Sequence, residues 1–288
     1  MEILILGAGL VGSALADLAG SRAVLATSRD ADIRDAGQVG ALVGRHQPAW
    51  VVLSAAISNV DRCQREPDLA RAVNVLGAEN VARAARDAGA RLLYLSTDYV
   101  FDGAAAAPYE VDAPRRPISV YGQTKADGED VVRNILPGCA IARTSWVFGS
   151  QRECFATLIL RQAVAAGTLN VESDKFTCPT YNRDLAGMLL ALIDQGAGGV
   201  FHCCNAGIAS RLQLAEELLR AAGMAGVVLE RVSMAEMNWP APRPPFSAMS
   251  VASVERMGIH PRLWRAAVPD FVDELRRRGM LPERSTAP

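Results

Sequence analysis

The chain has 288 residues, half of them hydrophobic and 21% charged, with 30 basic and 31 acidic side chains for a net charge of −1. That balance describes an ordinary globular chain with room for one large or two smaller domains, and it excludes a disordered one. No basic stripe argues for nucleic acid, and no polybasic cluster argues for a membrane surface.

From the N-terminus, Ile3–Leu6 reads as a short strand. The acid at position 2 and the lack of a basic leader argue against a signal peptide, and no later run approaches the roughly 18 apolar residues of a membrane span. Gly7-Ala8-Gly9-Leu10-Val11-Gly12 follows, and Val11, Leu15 and Leu18 then recur at helical spacing up to Gly20. Strand, glycine turn, helix is the context in which small residues let backbone N–H groups approach a pyrophosphate at a helix N-terminus. Ala23–Ala26 reads as a second strand, ending in Thr27-Ser28-Arg29 before Asp30. Hydroxyls and an arginine at that position favour a 2′-phosphate, hence NADPH, with NADH as the alternative.

Residues 38–46 read as a helix stopped by Pro48, residues 51–53 as a third strand ending in Ser54-Ala55-Ala56, and residues 67–88 as one long helix stopped by Gly89. Residues 92–95 are a fourth strand, which ends abruptly in Ser96-Thr97-Asp98-Tyr99. Strand ends in α/β proteins are where ligands bind. Short apolar strands alternating with helices imply a doubly wound parallel sheet, an α/β Rossmann-type domain covered on both faces. Farther on, residues 140–142 and 200–203 read as strands and residues 155–166, 184–194, 212–222 and 266–278 as helices. Residues 237–245 hold four prolines and read as a loop.

Tyr121-Gly122-Gln123-Thr124-Lys125 puts a tyrosine and a lysine four apart on one helical face. A neighbouring ammonium favours the phenolate, so the spacing predicts a tyrosine with a lowered pKa, fit for proton exchange. The order of glycine turn, Ser/Thr at a strand end and tyrosine–lysine is the order of an α/β dehydrogenase site. The six cysteines lack Cys-x-x-Cys spacing and the histidines are only His46, His202 and His260, so no metal site is expected, and reduced thiols suit a cytoplasmic protein.

Ser96 to Gly103, Pro108-Tyr109-Glu110, Val120-Tyr121-Gly122 through Lys125 and Glu129, Arg143 to Phe148, Asp184-Leu185-Ala186 and Arg243-Pro244 together resemble the dTDP-4-dehydrorhamnose reductase family of extended short-chain dehydrogenase/reductases. The resemblance covers nearly the whole chain. It implies an NADPH-dependent reductase of a nucleotide-bound 4-keto-6-deoxysugar, with Thr97, Tyr121 and Lys125 as the catalytic set. It also implies that Asp98 orients the sugar and Trp146 packs beside it, and that Asp32, Ile33, Ala55, Ala56 and Asn74 join Gly7, Gly9, Leu10, Val11, Gly12, Ser28 and Arg29 around the cofactor. Sugar-nucleotide 4,6-dehydratases carry Thr-Asp-Glu where this chain has Thr97-Asp98-Tyr99, so elimination is disfavoured. Tyr99 has no lysine at helical spacing and is expected to pack beneath the site.

Departures from the family pattern are a first glycine one residue closer to the second, Leu53-Ser54 at the third strand's end, and Cys178, read as a packed thiol. Residues 1–150 are expected to form most of the cofactor domain, rejoined by about 177–203, with 151–288 mainly the substrate domain. Two alternatives stay open: a non-catalytic NADP-binding subunit resembling the methionine adenosyltransferase β subunit, and a reductase of another nucleotide sugar or secondary-metabolite ketone. A homodimer is compatible with either.

Overall fold

The computed structural model describes residues 2–281. Its first half runs β1 (Ile3–Leu6), α1 (Leu10–Ala19), β2 (Ala23–Ala26), α2 (Ala36–His46), β3 (Trp50–Leu53), α3 (Val60–Arg65), α4 (Pro67–Arg71), α5 (Gly77–Asp87), β4 (Arg91–Thr97) and α6 (Val120–Ile135). There follow β5 (Ala140–Thr144), β6 (Val147–Phe148), α7 (Phe155–Ala165), β7 (Thr168–Glu172), β8 (Phe176–Thr177), β9 (Thr180–Tyr181) and α8 (Asn182–Asp194). The chain continues through β10 (Gly199–His202), β11 (Ala209–Ser210), α9 (Arg211–Ala222), β12 (Val228–Val232), α10 (Ala252–Glu255) and α11 (Trp264–Arg277).

One six-stranded sheet, ordered β2-β1-β3-β4-β5-β10, is parallel throughout. Successive strand residues face opposite sides, and both sides are buried. Ile3, Ile5, Trp50, Val52 and Leu93 pack with Leu15 of α1 and Leu185, Leu189 and Leu192 of α8. Leu4, Leu6, Val51, Leu53 and Leu92 pack with Leu42 of α2, Val81 of α5 and Val132 of α6. A sheet covered this way needs apolar residues on both faces, which is why its strands read as continuous apolar runs. The chain leaves β1 for β2 on one side and returns to β3 on the other, opening a crevice at the carboxyl ends.

The second cluster gathers α7, α9 and α11 around the buried Trp264, Phe271, Tyr181 and Phe148. The short pair β7–β12 lies beside it. Among the described residues no helix is long and apolar enough to cross a membrane.

The single helix expected over 67–88 is broken. Ala72–Leu76 form a π-helical turn between α4 and α5, and Asn74 at its centre explains the break. The Asn74 amide accepts from Ile57 N at 2.9 Å and donates to Ile57 O at 3.1 Å and Thr124 Oγ1 at 3.0 Å. A wide turn aims the side chain at partners far along the chain, which helical periodicity does not record. The helix α3 also went unread; Asn59 caps it, accepting from Arg62 N at 2.8 Å.

Two glycines let α6 approach the sheet end. A Cβ on Gly122 would lie 2.1 Å from Tyr99 O, and one on Gly128 would lie 2.3 Å from Tyr94 Oη. Gly128→Ala should therefore destabilise the fold by about 1–3 kcal/mol. Gly40→Ala, on an exposed turn of α2 with nothing within 4 Å of the new Cβ, should stabilise it by about 0.5–1 kcal/mol through helix propensity. Denaturant midpoints at unchanged slope measure both, and equal shifts of the same sign would contradict the packing account.

Candidate active site

The turn after β1 is built by three glycines in three ways. Gly7 sits at φ +117°, and a Cβ there would lie 2.5 Å from Ala55 N. A Cβ on Gly12 would strike Gly7 O at 1.9 Å, while one on Gly9 would meet open space. Gly9 caps α1 without a side chain and the first turn holds no acid, so the leading amides face the crevice free to meet an anion. Leu10 O accepts from Asn182 Nδ2 at 2.8 Å, and Val11 packs into the core. These residues fit a dinucleotide pyrophosphate.

At the end of β2, Ser28 and Arg29 are exposed. Asp30 accepts from Thr27 N at 2.7 Å and Thr27 Oγ1 at 2.8 Å, so the turn itself uses the acid, and those bonds lower its pKa. Arg29 forms no ion pair among the described residues. Asp32 is paired with Arg34, and Ile33 is buried where a Cβ on Gly77 would touch it. Ala55 and Ala56 line the strand end after β3, Ala55 N donating to Leu6 O at 2.8 Å. The Asn74 side chain is 2% exposed with its amide fully engaged by protein groups. Asn74 thus holds the 55–57 loop that borders the expected cofactor crevice.

Thr97 closes β4 and lies 5% exposed. Its Oγ1 donates to Asp98 Oδ1 at 3.1 Å and accepts from Tyr99 N at 3.2 Å. A hydrogen bond with Thr97 favours the Tyr121 phenolate, but burial outweighs it and pushes the phenol well up. The lysine four residues on does not reverse this. Lys125 is 3% exposed, its nitrogen 4.0 Å from the Tyr94 ring centre, and burial pushes it down to about 7 against the opposing pull of Glu129. The direction for Tyr121 is thus up where the spacing predicts down, because burial of the phenol dominates.

Asp98 Oδ2 accepts from Ser145 at 3.1 Å, Thr177 at 3.0 Å and Ser247 at 2.6 Å, and the residue is 3% exposed. One carboxylate oxygen is thus held by three hydroxyls and the other by Thr97. Tyr99, which has no lysine at helical spacing, has one from farther along the chain. Lys175 Nζ donates to Tyr99 Oη at 2.7 Å, and the Tyr99 and Tyr121 rings meet edge-on at 5.5 Å.

Trp146 is half-buried at φ +44°, a conformation rare for a bulky residue, against Phe155 at 5.5 Å and beneath the Arg211 guanidinium at 5.6 Å. Arg211 also lies over Trp239 at 5.3 Å. Strain of this kind clusters at functional sites. Lys175, Arg211 and Trp239 escaped the sequence reading. Arg211 directly follows the cap Ser210, and Trp239 lies in the proline-rich loop that Arg243 ties to Asp61 at 2.8 Å. Cys178 is buried, its Sγ accepting from Met249 N at 3.4 Å.

A family model described as the RmlD substrate binding domain matches residues 1–277. The chain belongs to that family. A dTDP-4-dehydrorhamnose reductase of Streptomyces griseus is 37% identical over 284 residues, covering 95% of this chain and 93% of that protein. The spore coat polysaccharide biosynthesis protein SpsK of Bacillus subtilis is 35% identical over 256 residues, covering 89% and 90%. Among solved structures, the dTDP-4-dehydrorhamnose reductase of Bacillus anthracis in complex with NADP superposes with a TM-score of 0.92 at 31% identity, covering 95% of this chain and all of that one.

Lys125 generates a pH prediction. Its folded pKa of about 7 lies below the roughly 10.4 of an unfolded lysine. The unfolded chain binds the extra proton between those values, so this group's penalty on folding is full below pH 7 and fades as pH rises toward 10. Lys125→Met should raise the melting temperature of the cofactor-free protein by at least about 2 °C below pH 7, with the gain shrinking toward pH 10. A gain that grows with pH would overturn the reading.

Proposed function

We propose that the chain is an NADPH-dependent reductase of a nucleotide-bound 4-keto-6-deoxysugar. The observation that carries the reading is the meeting of Thr97, Tyr121 and Lys125 at the carboxyl edge of the sheet, beside a glycine turn fit for a dinucleotide, in a chain of this family. Residues 1–150, rejoined by 177–203, hold the cofactor, and the remainder mainly holds the substrate.

When bound, the nicotinamide supplies a hydride to the C4 carbonyl carbon. Thr97 polarises the carbonyl oxygen and Tyr121 gives it a proton, which completes the alcohol. The raised Tyr121 pKa suits this direction, because a donor must still hold its proton near neutrality. Lys125, one helical turn away, stabilises the phenolate left behind. Trp146 covers the apolar face of the sugar, and the Thr97 hydroxyl turns its single proton from Asp98 Oδ1 to the carbonyl oxygen when the sugar binds. Arg29 receives the adenosine 2′-phosphate.

Loss of NADPH absorbance with nucleotide-linked 4-keto-6-deoxysugars tests the assignment. Turnover is expected; NADPH binding with no turnover of any such sugar would overturn it. Tyr121→Phe should lower kcat by about 10²- to 10⁴-fold with little change in NADPH affinity, and an unchanged kcat would remove Tyr121 from the role. Arg29→Ala should narrow the preference for NADPH over NADH, chiefly by weakening NADPH binding. Better use of NADH by the unmodified protein would contradict the reading of the β2 end.

A further inference from the structure

Lys175 is 7% exposed, and buried ammonium groups are ordinarily paired with an acid. Here no carboxylate stands within ion-pair distance of it among the described residues. The only hydrogen-bond acceptor of its ammonium there is the Tyr99 oxygen, at 2.7 Å. The same nitrogen lies 4.5 Å from the Tyr99 ring centre, so it grips both the oxygen and the face of one side chain. The backbone of Lys175 is held in turn, its N–H donating to Glu172 Oε1 at 2.6 Å.

A phenol oxygen has one proton to give and lone pairs to receive. With an ammonium filling the accepting side, the Tyr99 proton must point away from Lys175. No protein acceptor takes it among the described residues. Tyr99 is half-buried, and its ring meets the Tyr121 ring edge-on at 5.5 Å. Two tyrosine rings therefore meet, Tyr121 on helix α6, whose Lys125 one turn on lies over the Tyr94 ring, and Tyr99 held by Lys175 from the segment before β8.

We propose that Lys175 is a specificity-determining positioning residue: it orients Tyr99 as a hydrogen-bond donor to the substrate hydroxyl on the carbon adjacent to the reacting carbonyl. This inference rests on the keto-sugar reductase reading. Contact between the two rings puts Tyr99 beside the proposed proton donor, so a sugar whose ketone meets Tyr121 turns its neighbouring hydroxyl toward the Tyr99 side. Lys175 touches no reacting atom and works only through Tyr99.

Steady-state kinetics at saturating NADPH test this with Lys175→Met, Lys175→Arg, Tyr99→Phe and the double variant Tyr99→Phe/Lys175→Met. NADPH affinity and thermal melts are recorded alongside. Lys175→Met and Tyr99→Phe should each raise KM for the keto sugar about tenfold with kcat within about threefold, leaving NADPH affinity unchanged. The double variant should be no worse than Tyr99→Phe, and Lys175→Arg should recover part of the loss. A substrate analogue lacking the adjacent hydroxyl should be penalised by the unmodified enzyme and not by either single variant. Additive losses, a Lys175→Met effect confined to melting temperature, or an undiminished penalty against the analogue in Tyr99→Phe would each overturn the inference while the reductase reading stands. An unmodified enzyme that turns over no nucleotide keto sugar would overturn both.

Discussion

Glu129 is fully buried, and four elements meet on its carboxylate. Arg143 of β5 donates from Nε at 2.9 Å and from its terminal nitrogen at 2.8 Å, Ser96 of β4 donates at 2.6 Å, and Arg115 approaches at 3.3 Å. Arg143 continues to Val111 O at 3.0 Å, with its guanidinium over the Phe101 ring. Burying two charges costs more than their attraction returns unless the remaining donors and acceptors are satisfied, and the bidentate geometry here satisfies nearly all of them. The dependence is geometric. The pair locks α6, bearing Tyr121 and Lys125, to β4, which delivers Thr97, and to β5, which delivers Ser145 and Trp146. Glu129 also favours protonated Lys125, as Cys63 does to a lesser extent. The same arginine, together with burial, holds His202 at about 3, neutral near physiological pH.

Much of this fold is legible from periodicity alone. The strands β1 and β2 have the bounds their apolar runs indicate, because both faces of a parallel sheet must be covered. The helix break at Ala72–Leu76 is not legible, since the cause is the bond from Asn74 to Ile57, which lies 17 residues away. Local helix propensity speaks for continuation there, and the tertiary partner wins.

The site divides along the same line. The spacing of Tyr121 and Lys125 is visible because a helix places residues four apart together. Its electrostatic consequence is invisible, because the burial that raises one and lowers the other comes from elements far along the chain. Lys175 is the extreme case. It reaches Tyr99 across 76 residues, from a short turn with no period to read. Asp98 shows the converse. Its place at the strand end suggests a ligand contact, but Thr177 and Ser247 enclose it from the second half of the chain.

That enclosure has an electrostatic result. Hydroxyls satisfy the Asp98 carboxylate with dipoles and leave its negative charge uncancelled, and that charge joins burial in holding the Tyr121 phenol up. The cations stand on the cleft walls, with Lys125 on α6, Lys175 before β8 and Arg211 at the start of α9, the last with its buried Nε lacking a hydrogen-bond partner. Glu172 lies 3.8 Å from Arg211, and burial raises its pKa against the pull of Arg211 and Lys175. In the proposed reduction the raised phenol of Tyr121 keeps its proton until negative charge develops on the carbonyl oxygen beside it, which is what a proton donor requires.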